Sequence, residues 1–316
     1  MPRKQNSTAT TTILKRAVRN PAINLFFILF FIIGRIIPRR LLIFTGKQLG
    51  KLAYQLFPSE KKKTIIHLSQ AFPEKSAEEI SRISREVFIN IGMNFAELIW
   101  IPRMKRKHMG KIIGFDGIQI LEKLKKKNRP VMIISGHIGN WELLAAAASF
   151  KGFPSAVIAR RQNNSWINNK IIKMRKKWNV DTILRDEDGS SRRILRILKN
   201  GGFLATLMDQ DTKIDSVFVD FFGRKAYTPS GPAAISLSSG CEVVMAYIQR
   251  ETLLKHKVKF KYVTPIVPTG FRDRDIVNRT QQFTSLLEEA IREHPEQWVW
   301  MHKRWKTQQI AVNKRR

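Results

Sequence analysis

An α/β protein is the fold class this sequence predicts: a largely parallel central sheet flanked by helices, preceded by an N-terminal hydrophobic membrane-anchoring helix. Three observations carry it. From about residue 111, short apolar runs rich in β-branched residues alternate with stretches of helical periodicity. The strongest run, Val131 to Ser135, stops at Gly136 and gives way to a helical stretch from Trp141 to Ala148, with Asn140 as its N-cap. Near the N-terminus, Ile23 to Ile33 is almost wholly apolar and is bracketed by Lys15, Arg16, Arg19, Arg35, Arg39 and Arg40.

Taken in order, residues 1–20 read as a polar and basic tail and 21–45 as a hydrophobic membrane anchor. Residues 46–307 form the α/β domain and 308–316 a basic C-terminal tail. The apolar run is shorter than the ~20 residues of a spanning helix. It is read as a helix in the membrane interface, with a short span and a buried core helix as the other readings. Residues 46–110 read as mostly helical. Strands are expected at 131–135, 155–159, 181–184, 203–208, 242–249 and 258–266, with helices at 168–178, 190–198, 229–238 and 276–293.

The 316 residues carry a formal net charge of +32. That excess implies an anionic partner: nucleic acid, an anionic membrane surface, acidic lipid headgroups or an acidic carrier protein. Nucleic acid is disfavoured, because no zinc finger, RNP block or basic zipper is present and the apolar N-terminal run would go unexplained. The single cysteine, Cys241, excludes an internal disulfide and a multi-Cys zinc site, and suits a reducing compartment.

Polar residues cluster where strands end. The first strand delivers His137, Asn140 and Glu142, the second Arg160, Arg161 and Asn164, and the third Asp209 and Gln210. In a parallel sheet these ends share one edge, where open α/β proteins place their sites. A His with a carboxylate on the next helical turn makes a general base with an orienting acceptor. The amides around Gly139 and Asn140 are candidate oxyanion or phosphate donors. Guanidinium groups beside a base suit an anionic substrate. No metal is expected, since the histidines lack ligand spacing.

Several segments together resemble the lipid A biosynthesis late acyltransferases, the lauroyl and myristoyl transferases of the lysophospholipid acyltransferase-like superfamily. They are Gly136-His137-Ile138-Gly139-Asn140-Trp141-Glu142, Arg160 with Asn164, Arg175, Asp209-Gln210-Asp211, Phe221-Phe222-Gly223, and Trp298-Val299-Trp300-Met301-His302-Lys303-Arg304-Trp305-Lys306. The resemblance runs from about residue 15 to 307. It departs at Lys303, where the family often has Arg, and after Arg175, where a Gly is common. It implies a glycerolipid acyltransferase-like fold on the cytoplasmic face of the inner membrane. It also implies transfer of an acyl chain from an acyl carrier protein or CoA thioester to a hydroxyl of a glycolipid, with no cofactor beyond that co-substrate. His137 would be the base, oriented by Glu142. Arg160 and Arg175 would hold a lipid phosphate or a phosphopantetheine phosphate. Asn140, Asn164, Asp209 and Gln210 would contact substrate, or Asp209 would brace its loop. Two alternatives stay open: an acyltransferase for another lipid acceptor, such as a lysophospholipid, a phosphatidylinositol mannoside or an amino-acid lipid, and a non-catalytic basic protein of the membrane surface.

Overall fold

A computed structural model describes residues 34, 36–212 and 214–308. The N-terminal tail, the apolar run 23–33 and residues 309–316 lie outside the described residues, and with them most of the expected anchor. Among the described residues no helix is long and apolar enough to cross a membrane.

The chain opens with helices α1 (Arg39–Leu56), α2 (Pro58–Ala71) and α3 (Ala77–Trp100). A capping box starts α3: Ser76 Oγ accepts from the Glu79 amide, and the Glu79 carboxylate accepts from the Ser76 amide at 3.0 Å. Helices α1 and α3 meet backbone to backbone. A Cβ on Gly46 would lie 2.5 Å from the Gly92 carbonyl oxygen, and one on Gly92 would lie 2.3 Å from that of Gly46. Only glycine permits this approach.

Strands and helices then alternate: α4 (Arg106–Ile112), β1 (Ile113–Asp116), α5 (Ile118–Lys126), β2 (Val131–Ser135), α6 (Trp141–Phe150), β3 (Ser155–Ala159), α7 (Ser165–Lys177), β4 (Asp181–Leu184), α8 (Ser190–Lys199) and β5 (Phe203–Leu207). After them come a hairpin of β6 (Ser216–Phe221) and β7 (Arg224–Pro229), then α9 (Gly231–Ser239), β8 (Glu242–Arg250), β9 (His256–Val263) and α10 (Arg272–Glu293). The main sheet has the order β1-β9-β8-β2-β5-β3-β4. Strands β8, β2, β5, β3 and β4 run parallel; β9 pairs antiparallel with β8 and carries β1 parallel to itself. The expected parallel alternation thus describes the centre and one side of the sheet. The hairpin, a separate two-stranded sheet, was not among the expected strands.

Strand β2 is buried at all five positions because helices cover both faces of the sheet. Met132 and Ile134 pack with Leu204, Val243, Phe283 and Leu287 on one face. Val131 and Ile133 pack with Leu143, Ala147, Val244 and Ala246 on the other. Trp298 and Trp300 lie wholly buried in the first cluster. Burial of each stabilises by on the order of 4–6 kcal/mol of transfer free energy. That burial anchors the C-terminal segment against the edge where β2 and β5 end.

Candidate active site

The loop from Gly136 to Asn140 leaves the C-terminal end of β2 and enters α6. Gly139 has φ +56, and a Cβ there would sit 2.0 Å from the Ile248 carbonyl oxygen, so the tight turn requires glycine. The C-terminal segment closes over the loop. Ile138 bridges Trp298 in antiparallel fashion, and the Gly139 amide donates to the Gln297 carbonyl at 2.9 Å.

His137 is held by Asp209, just past the end of β5. Its Nδ1 lies 2.7 Å from Asp209 Oδ1, and its backbone N–H donates to Asp209 Oδ2 at 2.7 Å. The Trp298 indole N–H donates to the same Oδ2 at 2.8 Å. Burial alone would raise the Asp209 carboxyl; the His137 ring, the His137 amide and Trp298 outweigh it and hold it far below the usual carboxylate range. An ionised carboxylate only accepts, so Nδ1 carries the ring proton and Nε2 keeps the lone pair. The His137 side chain is 19% exposed and that of Asp209 is 0% exposed, so the ring reaches solvent while its partner does not.

Glu142 is not the carboxylate on the His137 ring. It forms a two-pronged pair with Arg175 at the end of α7, at 2.9 Å from Nε and 2.6 Å from the terminal nitrogen. The physical reason is the direction of the first turn of α6. Trp141 covers the His137 ring, with centroids 4.7 Å apart, while Glu142, one residue on, leans toward α7. Burial would lower the Arg175 pKa, but the Glu142 carboxylate outweighs it and raises it. Arg175 is therefore bound to a carboxylate rather than free for a phosphate.

Asn140 is buried and both ends of its amide are engaged. Oδ1 caps α6 by accepting from the Leu143 amide, and Nδ2 donates to Glu97 Oε2 at 3.2 Å. Glu97, from α3, also takes Arg39, Arg250 and His256. Burial would raise its carboxyl, and these three groups hold it well below its ordinary value. Asn94 donates to the Gly139 carbonyl at 2.8 Å, so α3 braces the loop at two points. Asn164 is the N-cap of α7, accepting from the Ile167 amide. Arg160 is exposed, and Arg161 pairs with Asp186 and Glu187.

A cavity of about 1230 Å³ opens at this edge, lined by His137, Glu142, Arg160, Arg175, Gln210 and His302 among polar residues and by Ile91, Phe95, Ile171 and Ile172 among apolar ones. The sequence reading missed His302, Trp298, Trp141 and Glu97 as site residues. Gln210 Nε2 stands 2.7 Å from His302 Nε2 and 3.3 Å from His137 Nε2. Burial first, then the nearby His137, pushes His302 down to about 4. The Asp-Gln-Asp run divides its work: Asp209 holds His137, Gln210 reaches His302, and Asp211 accepts from the Thr307 amide at 2.9 Å. The signal for His302 and Trp298 was the aromatic-basic C-terminal run, which gave no hint that it lies against the end of β2.

A family model described as bacterial lipid A biosynthesis acyltransferase matches residues 12–307. The chain is 25% identical over 279 residues to the lipid A biosynthesis palmitoleoyltransferase of Escherichia coli (strain K12), covering 87% of this chain and 88% of that protein. It is 25% identical over 276 residues to the lauroyltransferase of the same organism, covering 85% and 87%, and 22% identical over 262 residues to the myristoyltransferase, covering 82% and 79%.

Proposed function

The chain belongs to the bacterial lipid A biosynthesis acyltransferase family, and from that premise we propose that it transfers a fatty acyl chain from a thioester, on acyl carrier protein or CoA, to a hydroxyl of a lipid A precursor. The observation that carries the chemistry is the 2.7 Å contact between His137 Nδ1 and the buried Asp209 carboxylate. His137 Nε2 removes the proton of the acceptor hydroxyl. Asp209 fixes the tautomer and stabilises the imidazolium, as the acid of a catalytic triad does. A positioned base of this kind accelerates the step by roughly 10²–10⁴-fold. The hydroxyl oxygen attacks the thioester directly, so no covalent enzyme intermediate forms.

Glu142 and Arg175 form one wall of the cavity. Arg160 is the guanidinium for a phosphate, either on the glycolipid or on phosphopantetheine. The enzyme works at the cytoplasmic face of the inner membrane. Support for that comes from α1, where Leu41, Phe44, Leu52 and Leu56 are exposed on one side, flanked by Arg40, Lys47 and Lys51.

The test is acyl transfer by detergent-solubilised protein. Labelled carrier-protein and CoA thioesters of several chain lengths are offered with a tetra-acylated lipid A precursor or a lysophospholipid, to wild type and His137→Ala. Transfer to the precursor that vanishes in the variant supports the reading. Transfer only to the lysophospholipid replaces the acceptor, and no transfer by folded wild type overturns the assignment.

A further inference from the structure

Acyl transfer needs a hydrogen-bond donor where negative charge develops on the thioester carbonyl oxygen. The loop entering α6 is the first place to look, and three of its amides are already engaged. The His137 amide is on Asp209, the Gly139 amide is on the Gln297 carbonyl, and the Leu143 amide is capped by Asn140. A further donor beside His137 must line the same cavity and carry an N–H without a partner.

His302 meets that requirement. Its ring centroid is 5.3 Å from that of His137, and both rings line the same cavity. Gln210 Nε2 lies 2.7 Å from His302 Nε2. An amide nitrogen donates and does not accept, so Nε2 is the bare nitrogen and the ring proton sits on Nδ1. No other described residue is hydrogen-bonded to Nδ1. Burial keeps the ring neutral at physiological pH. A neutral imidazole donates a hydrogen bond without placing a second positive charge beside the His137 imidazolium that forms during the reaction.

We infer that His302 is a further catalytic residue, whose Nδ1–H binds the thioester carbonyl oxygen as it becomes an oxyanion, with Gln210 as the positioning residue that locks the tautomer. The inference rests on the acyl-transfer reading of the site. The acceptor oxygen bonds to the carbonyl carbon, its proton passes to His137 Nε2, and the carbonyl π electrons move to the oxygen held by His302. Collapse restores the C=O bond and breaks the C–S bond. The proton on His137 passes to the departing thiolate sulfur. His302 keeps its own proton throughout.

The experiment compares kcat and KM for acyl transfer in wild type, His302→Phe, His302→Gln and Gln210→Met, with the fold of each checked by circular dichroism. His302→Phe keeps a ring without the donor and is expected to lower kcat by roughly 10²–10³-fold, with KM for both substrates within about threefold of wild type. His302→Gln restores a donor and is expected to recover at least ~10-fold over His302→Phe. A kcat for His302→Phe within about threefold of wild type, or a loss confined to KM, overturns the inference. So does a His302→Gln variant no faster than His302→Phe. If His302→Phe does not fold, Gln210→Met decides: a kcat lowered about 10-fold supports the tautomer lock, and an unchanged kcat overturns it. Absence of transfer by the wild type overturns the acyl-transfer reading itself and is distinguished from losses confined to the variants.

Discussion

The indole N–H of Trp298 donates to Asp209 Oδ2 at 2.8 Å, sharing that oxygen with the backbone N–H of His137. One carboxylate thus fixes the His137 ring, the His137 backbone and the C-terminal segment together. The C-terminal run is part of the site's scaffold because the buried Asp209 charge needs several donors to offset its desolvation.

Trp298→Phe removes one of those donors and leaves a small cavity in the main core. It is expected to destabilise the protein by about 2–4 kcal/mol. Denaturant unfolding of the detergent-solubilised protein checks this, and a change below ~1 kcal/mol would show that the indole N–H contributes little.

Glu142 and Arg175 are a largely buried pair whose separate loss strands a charge. Glu142→Ala is expected to cost about 3–5 kcal/mol of stability, and Glu142→Ala with Arg175→Met together less than the sum of those two singles. A double-mutant cycle measures the coupling. Additive losses would mean that the pair seen here does not hold in solution.

The position of His137's partner explains what the sequence could and could not reveal. Glu142 is five residues from His137 and looked like its acceptor, whereas Asp209 is 72 residues away and reaches the ring only because β2 and β5 are neighbours in the sheet. Apolar runs such as Val131–Ser135 and Phe203–Leu207 were legible because buried parallel strands read as continuous hydrophobic stretches. Strand direction leaves no such mark, so the reversal at β9 was not. The hairpin was hidden by its turn: Phe222 at φ 52 and Gly223 at φ 67 form a two-residue connection in which Phe takes a place that Asn or Gly commonly fills. That Asp209 and Gln210 share a sheet edge with His137 followed from strand ends alone.

His302 links stability to pH. Its folded pKa is about 4, below the 6.5 of an unperturbed His. Below pH ~6.5 the unfolded chain takes up a proton that the folded chain refuses, so this contribution is present above that pH and lost as pH falls toward 4. The loss amounts to at most about 3 kcal/mol. Unfolding midpoints at pH 7 and pH 4.5 are expected to differ less in His302→Phe than in wild type. Equal pH dependence in both would contradict a buried neutral ring.

Helix α1 presents Phe44 and Leu52 outward beside Lys47 and Lys51. Replacing both apolar residues with Glu is expected to weaken binding to vesicles containing anionic lipid by at least ~10-fold, since each buried side chain contributes about 1.5–3 kcal/mol. Sedimentation with vesicles measures it. Unchanged binding would assign membrane contact to another surface.

The central claim is that His137 and Asp209 act as one base. The most direct test is the acyl-transfer kcat of His137→Ala, Asp209→Asn and the double variant, measured side by side with wild type. Acting as a unit, each single variant falls by roughly 10³-fold or more and the double variant is no slower than His137→Ala. An Asp209→Asn enzyme close to wild type, or losses that multiply in the double variant, would contradict the account.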